Sequence, residues 1–154
     1  MTLNDLKNRP ELTQHHKLYE AYTQFDKLLI ALRTKTLSHD TIKVINANID
    51  KVNSVPESDK ALRKVLKYAQ SNIIKLIEKE HKLVTINHYR NTWLAVGMAV
   101  FGIPLGVALG VSLGNMALLG IGLPIGMVIG LAVGTAMDKK ALEEGRQINL
   151  EIKY

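Results

Sequence analysis

The sequence predicts an all-α fold, a helical N-terminal unit running into a two-span antiparallel hairpin, on three observations. Residues 93–137 form a run of 45 without Asp, Glu, Lys, Arg or His. Ten of the eleven glycines lie inside that run, and none precedes Gly97. The run also repeats itself: FGIPLGVALGVSLG over residues 101–114 and IGLPIGMVIGLAVG over residues 121–134 superpose on a shift of twenty. A bilayer core needs about 20 apolar residues per helical span. Residues 93–113 and 116–137 each meet that length, with Gly114-Asn115 as the turn between them.

The elements read in order as follows. Residues 1–9 form a loose lead-in, with Asn8 as a candidate cap and Pro10 near the first helical turn, where its missing N–H costs little. Residues 11–35 carry Leu18, Tyr22, Phe25, Leu29 and Leu32 at spacings of three and four, the stripe of an amphipathic helix. A second helix, capped by Ser38 or Asp40, runs to about residue 53 with Ile42, Ile45, Ile49 and Val52 on its apolar side. Pro56 ends it, and Ser58 or Asp59 can cap a third. That third helix has neither glycine nor proline from residue 60 to 96, and Leu62, Leu66, Ala69, Ile73, Ile77 and Val84 form its stripe. It is expected to continue without a break into the first span, a rod of roughly 80 Å over residues 59–113. The second span continues to Gly145, which is placed to stop it. Residues 147–154 alternate polar and apolar, the pattern of a short C-terminal strand that either pairs with a second copy or a partner, or stays mobile. Three parts follow: a cytoplasmic helical, coiled-coil-like domain over 1–90, the hairpin over 91–140, and a cytoplasmic tail over 141–154.

Charge is distributed unevenly. Residues 1–92 hold 16 of the 20 Lys+Arg and 10 of the 14 Asp+Glu, while residues 138–154 hold four of each sign. Beside a membrane segment, such a surplus favours cytoplasmic retention and attraction to anionic lipid. Tyr89, Arg90 and Trp93 mark one membrane boundary and Lys139 and Lys140 the other. The turn carries no charge, so both termini are placed in the cytoplasm. Nucleic acid is not expected as a partner, because the cations are interleaved with acids and aromatics are sparse. The N-terminus lacks an apolar core and a cleavage pattern, so the apolar run directs insertion itself.

The glycines carry the packing argument. Gly102, Gly106, Gly110 and Gly114 recur every fourth residue on the first span, and Gly122, Gly126, Gly130 and Gly134 on the second. Lipid supplies little hydrophobic drive between helices, so small residues that admit close backbone contact hold them together. Ala95, Ala99, Ala108, Ala132 and Ala136 offer a further small-residue face for a homo-oligomer. Pro104 and Pro124 lie at matched depth and each favours a kink.

No enzyme is expected. The chain has no cysteine and lacks HExxH, a phosphate-binding GxxxxGK[ST] and a nucleophile elbow. Its five histidines are not spaced as a ligand set. Neither a catalytic residue, a cofactor site nor a metal site is assigned. Without ionisable residues the spans offer no proton relay, though an oligomer could still enclose a pore.

Residues 123–147, LPIGMVIGLAVGTAMDKKALEEGRQ, together with the HYRN boundary at residues 88–91, resemble a glycine-zipper family of small bacterial membrane proteins. The resemblance covers roughly the last 65 residues well and the first 85 only in character. It implies a membrane hairpin and no particular activity. The expected function is therefore a structural or interaction component of the bacterial inner membrane that self-assembles through its glycine-rich helices. The alternatives are a channel subunit gated by the cytoplasmic helices and a membrane-anchored helical adaptor, whose N-terminal helices bind a cytoplasmic protein.

Overall fold

A computed structural model describes residues 2–56 and 59–152. The chain divides into two compact units, residues 1–85 with 148–154, and residues 86–147.

The first unit is built on three helices, α1 (His16–Arg33), α2 (His39–Ser54) and α3 (Asp59–His81). Helix α1 is preceded by a separate 3-10 turn, Pro10–Gln14, so the single helix expected over 11–35 is interrupted at His15. Ser38 caps α2 by accepting from the Thr41 N–H at 3.2 Å, as its sequence position suggests. Ser58, a candidate cap for α3, lies outside the described residues. Phe25, Leu28, Leu29 and Leu32 from α1 meet Ile45, Ile49 and Val52 from α2 and Leu62, Leu66, Ile73 and Ile77 from α3. Helix α3 packs against both others.

The first residues are held, unlike the loose lead-in the sequence suggests. Asn46 accepts from the Asn4 N–H at 2.8 Å and donates to Thr2 O at 3.1 Å. One heptad further along α2, Asn53 repeats the grip: it accepts from the Lys7 N–H at 2.9 Å and donates to Asp5 O at 3.0 Å. Each amide thus pairs a backbone N–H and the carbonyl two residues before it, which satisfies an extended chain that has no strand partner. Arg9, 6% exposed, donates to the carbonyls of Val52, Asn53 and Val55 at the C-terminal end of α2. A cation is favoured there by the helix dipole. Tyr22 donates to Lys7 O. Burial pushes its phenol above the ordinary pKa, with the nearby Arg9 charge pulling the other way.

Helix α3 does not run on into the apolar segment. It stops at His81, followed by Lys82 in the left-handed region at φ 56°. The Lys82 N–H bonds to Glu78 O and the Leu83 N–H to Ile77 O, both at 3.1 Å, which turns the chain out of the helix. Residues Val84–Ile86 then form β1, and Asn87, again left-handed at φ 59°, precedes the next helix. The expected continuous rod fails because β-branched Val84, Thr85 and Ile86 suit a strand and non-glycine residues make both reversals.

Strand β1 has a partner within the chain. Gln147–Glu151 forms β2, and the two make a small parallel sheet. The alternation read from the tail is real: Ile148 is fully buried and Leu150 and Ile152 nearly so, all in the core of the first unit with Leu83. The strand therefore pairs with its own chain, rather than with a copy or a partner, and is not left loose. The second unit is an insertion between two neighbouring strands of the first.

Candidate functional site

The second unit is a helical hairpin. Its first arm is α4 (His88–Gly97), a π-helical turn (Met98–Gly102) and α5 (Ile103–Ser112). Its second arm is a 3-10 turn, Met116–Leu118, leading into α6 (Leu119–Glu143). The arms span 25 residues (His88–Ser112) and 28 residues (Met116–Glu143), and both are long and apolar enough to cross a membrane. At about 1.5 Å per residue, each exceeds the ~30 Å hydrocarbon thickness.

The turn forms where Gly114-Asn115 predicts it. Gly114 adopts φ 65°, which glycine enters without a Cβ penalty. The Asn115 N–H bonds back to Gly110 O at 2.9 Å and the Gly114 N–H to Val111 O at 3.3 Å, a Schellman closure of the helix end. Asn115 then accepts from the Ala117 N–H at 3.0 Å and starts the second arm. Gly145 ends α6 in the same way, at φ 68°, with Arg146 N–H to Ala141 O at 2.9 Å and Gly145 N–H to Leu142 O at 3.0 Å.

The glycines face one another. A Cβ added at Gly122 would lie 2.2 Å from Gly102 O, one at Gly126 2.5 Å from Gly97 O, and one at Gly130 2.1 Å from Trp93 O. At Gly134 it would meet the backbone of Arg90 and Tyr89, and at Gly102 and Gly106 that of Gly122 and Leu119. At Gly102 the nearest atom is 3.0 Å away, a tight contact, while at the other positions the approach is closer than a side chain tolerates without a backbone shift. Gly110 is less constrained, facing the Met116 side chain at 3.1 Å. Gly114 is a turn residue with nothing within 4 Å of the added atom, so it does not belong to the packed face.

Gly97 takes a place on that face which the four-residue pattern does not give it. It is five residues before Gly102, and the π turn between them supplies the extra residue. The Ile103 N–H reaches back five residues to Met98 O, which lets a five-residue step keep the same face. The turn also contains Val100, four residues before Pro104, whose ring conflicts with an ordinary α-helical carbonyl at that spacing. Pro124, its counterpart in the repeat, lies inside the uninterrupted α-helix α6. The two prolines, matched in sequence, are thus accommodated differently. Deleting Val100 is expected to replace the five-residue step by four and keep the glycine face. Deleting Leu105 breaks it, because Gly102 and Gly106, both packed against the second arm, then stand three apart. Detergent-denaturation midpoints of the two deletions should therefore differ, with the Leu105 deletion far lower.

Asp138 closes the base of the hairpin, a role its position at the end of the apolar run does not announce. It is 8% exposed and accepts from the N–H groups of Tyr89 and Arg90 at 3.0 and 2.9 Å, one per carboxylate oxygen. These are orphan donors in the first turn of α4, and Asn87 gives no side-chain cap. A carboxylate from α6 thus caps α4, helped by the helix dipole. Arg146 donates to Glu144, and hydrogen bonds to Glu144 and then Tyr89 raise its pKa further. Of the boundary residues, Trp93 and Tyr89 are partly buried and Arg90 is exposed, while Lys139 and Lys140 lie near Glu143 and Glu144 at 3.9 Å. Asp138→Ala should cost the hairpin about 1–3 kcal/mol. Asp138→Asn, which keeps one acceptor, should fall between, as read from denaturation midpoints in mixed micelles.

The opposite faces are apolar and open. Val100, Phe101, Ile103, Val111, Ile121 and Val128 are each at least 40% exposed. Only 22% and 17% of the most apolar stretch of each arm is buried. Among the described residues, no group of three or more His, Cys, Asp or Glu could hold a metal ion. In comparisons with known proteins, no family model, curated protein or solved structure matches this chain.

Proposed function

We propose that the chain is an integral protein of the bacterial cytoplasmic membrane, a structural or interaction component that self-assembles. The observation that carries this reading is the division of the hairpin's faces: glycine backbones meet inside, and large aliphatic side chains point outward. A helix pair in the core of a soluble protein buries its aliphatic side chains; here most of them are uncovered. Exposed apolar surface on this scale calls for lipid or further protein. The basic N-terminal block and the charge-free turn support placing both termini in the cytoplasm. The likeness to glycine-zipper proteins agrees with this placement.

The glycine face is occupied within the chain, so assembly falls to the outward surfaces. Ala95, Ala99, Ala108, Ala132 and Ala136 are all exposed there and supply a second small-residue surface. Backbone contact between the arms leaves no lumen inside one hairpin, so a pore would require several copies. The first unit has its own core, which also suits an adaptor whose specificity lies in its helices.

Two measurements separate these parts. The protein should remain with membranes through an alkaline carbonate wash; release would reject the membrane reading. Native mass in lipid nanodiscs should be a multiple of the 17.1 kDa chain. A single-chain mass would reject self-assembly while leaving the anchor intact, and ion flux from the assembled form in liposomes would select the pore.

A further inference from the structure

The first unit contains a cleft of about 770 Å³ between the start of α1 and the first turns of α3. Lys17 lines it from α1, and Lys60, Arg63, Lys64 and Lys67 from α3. The four on α3 stand at i, i+3, i+4 and i+7, so they share one face. None of these five cations has an ion-pair or hydrogen-bond partner among the described residues. His15, His16 and Leu18 complete the lining, which includes no acid among the residues whose side chains are described. Glu20 lies just outside, 3.6 Å from His16.

Here the cations converge from two helices. Helix α1 adds a second conflict: its first turn has no acid and no side-chain cap, and carries Lys17 at the positive end of the helix dipole. Like charges gathered at such a place repel one another unless an anion joins them. The volume falls in the range of small-ligand sites, and the lysine stems with Leu18 give it an apolar floor.

We infer that this cleft binds a clustered phosphate group, two or more negative charges close together, carried either by a soluble polyphosphate or by an anionic lipid headgroup. Multiple Lys and Arg contacts suit such a group, with Arg63 able to bond two oxygens at once.

The test uses the full chain, whose lack of cysteine permits one label at Tyr68→Cys, an exposed position beside the cleft. With an environment-sensitive fluorophore in zwitterionic nanodiscs, inorganic tripolyphosphate is titrated at constant ionic strength. A parallel arm replaces part of the lipid with cardiolipin, whose headgroup holds two phosphates close together, and adds no tripolyphosphate. The inference expects a saturable response in at least one arm, weakened at least tenfold by R63A/K64A, with unchanged circular dichroism. Saturation by tripolyphosphate identifies a soluble ligand, and a response to the anionic lipid alone identifies the headgroup. No response in either arm, or one that the double variant leaves unchanged, overturns the inference. Co-elution of the chain with the nanodiscs is checked before any ligand is added and reports on the membrane reading by itself, so failure of a titration is separate from failure of that reading.

Discussion

Replacing Gly126 with leucine is expected to force the hairpin apart. Even the first side-chain carbon would lie 2.5 Å from Gly102 N and from Gly97 O, and 2.6 Å from Gly102 Cα. These are backbone atoms of a helix, so no rotamer change relieves the clash. Overpacking a core that can adjust its side chains costs about 1–3 kcal/mol. Here whole helices must separate, and we expect a loss of about 3 kcal/mol or more. Gly120 is the internal control. It lies on the same helix, yet a Cβ there meets nothing within 4 Å. Gly120→Leu should leave the hairpin at least as stable as the parent, because leucine has the better helix propensity. Denaturation in mixed micelles, followed by the single tryptophan, Trp93, which packs against Gly130 through its backbone, reads both variants. Equal losses at Gly120 and Gly126 would mean that glycine matters for the segment's composition, not for its contact face.

Ile148→Asp should have the largest effect on the first unit. Ile148 is fully buried in the core shared by α1, α2 and α3, although it follows the hairpin by only a few residues. An aspartate there loses the packing of a large aliphatic side chain, worth about 2–5 kcal/mol when cut to alanine, and places a polar group among apolar ones. Domains of this size have about 5–15 kcal/mol in reserve, so most of the unit's stability is at stake. Hydrogen exchange on the full chain should show the protection of α1–α3 amides falling together. A tail that was merely mobile would give no change in those helices.

Local signals in the sequence predict local structure well. The stripes of the three helices, the Ser38 cap and the Gly114 and Gly145 stops are each set by residues within a turn of one another, so spacing alone finds them. Arrangements between distant segments are not legible in this way. Asp138 reads as the end of an apolar run, and its function depends on Tyr89 and Arg90, 49 and 48 residues away. The N-terminal arm has no periodicity because two asparagines on α2 satisfy its backbone. Asn46 and Asn53 do stand seven apart, a trace of that role visible once the arm is known. The break after α3 carries no glycine or proline; its signal is the β-branched run at residues 84–86 between two left-handed residues. Gly97 was hidden by its five-residue spacing, which a search for fours passes over and a π turn restores.

The central claim is that the two apolar helices cross a bilayer as a closed hairpin. The cysteine-free chain makes a direct measurement simple. Single cysteines are placed at Leu113, 68% exposed at the turn, and at Lys140, at the opposite end of the second arm, and treated with a membrane-impermeant maleimide in intact bacterial cells whose outer membrane has been opened. The hairpin predicts that Leu113→Cys is labelled at once and Lys140→Cys only after the inner membrane is permeabilised. Labelling of both positions before permeabilisation, or of both only after it, would place the turn and the base on one side of the membrane and contradict the account.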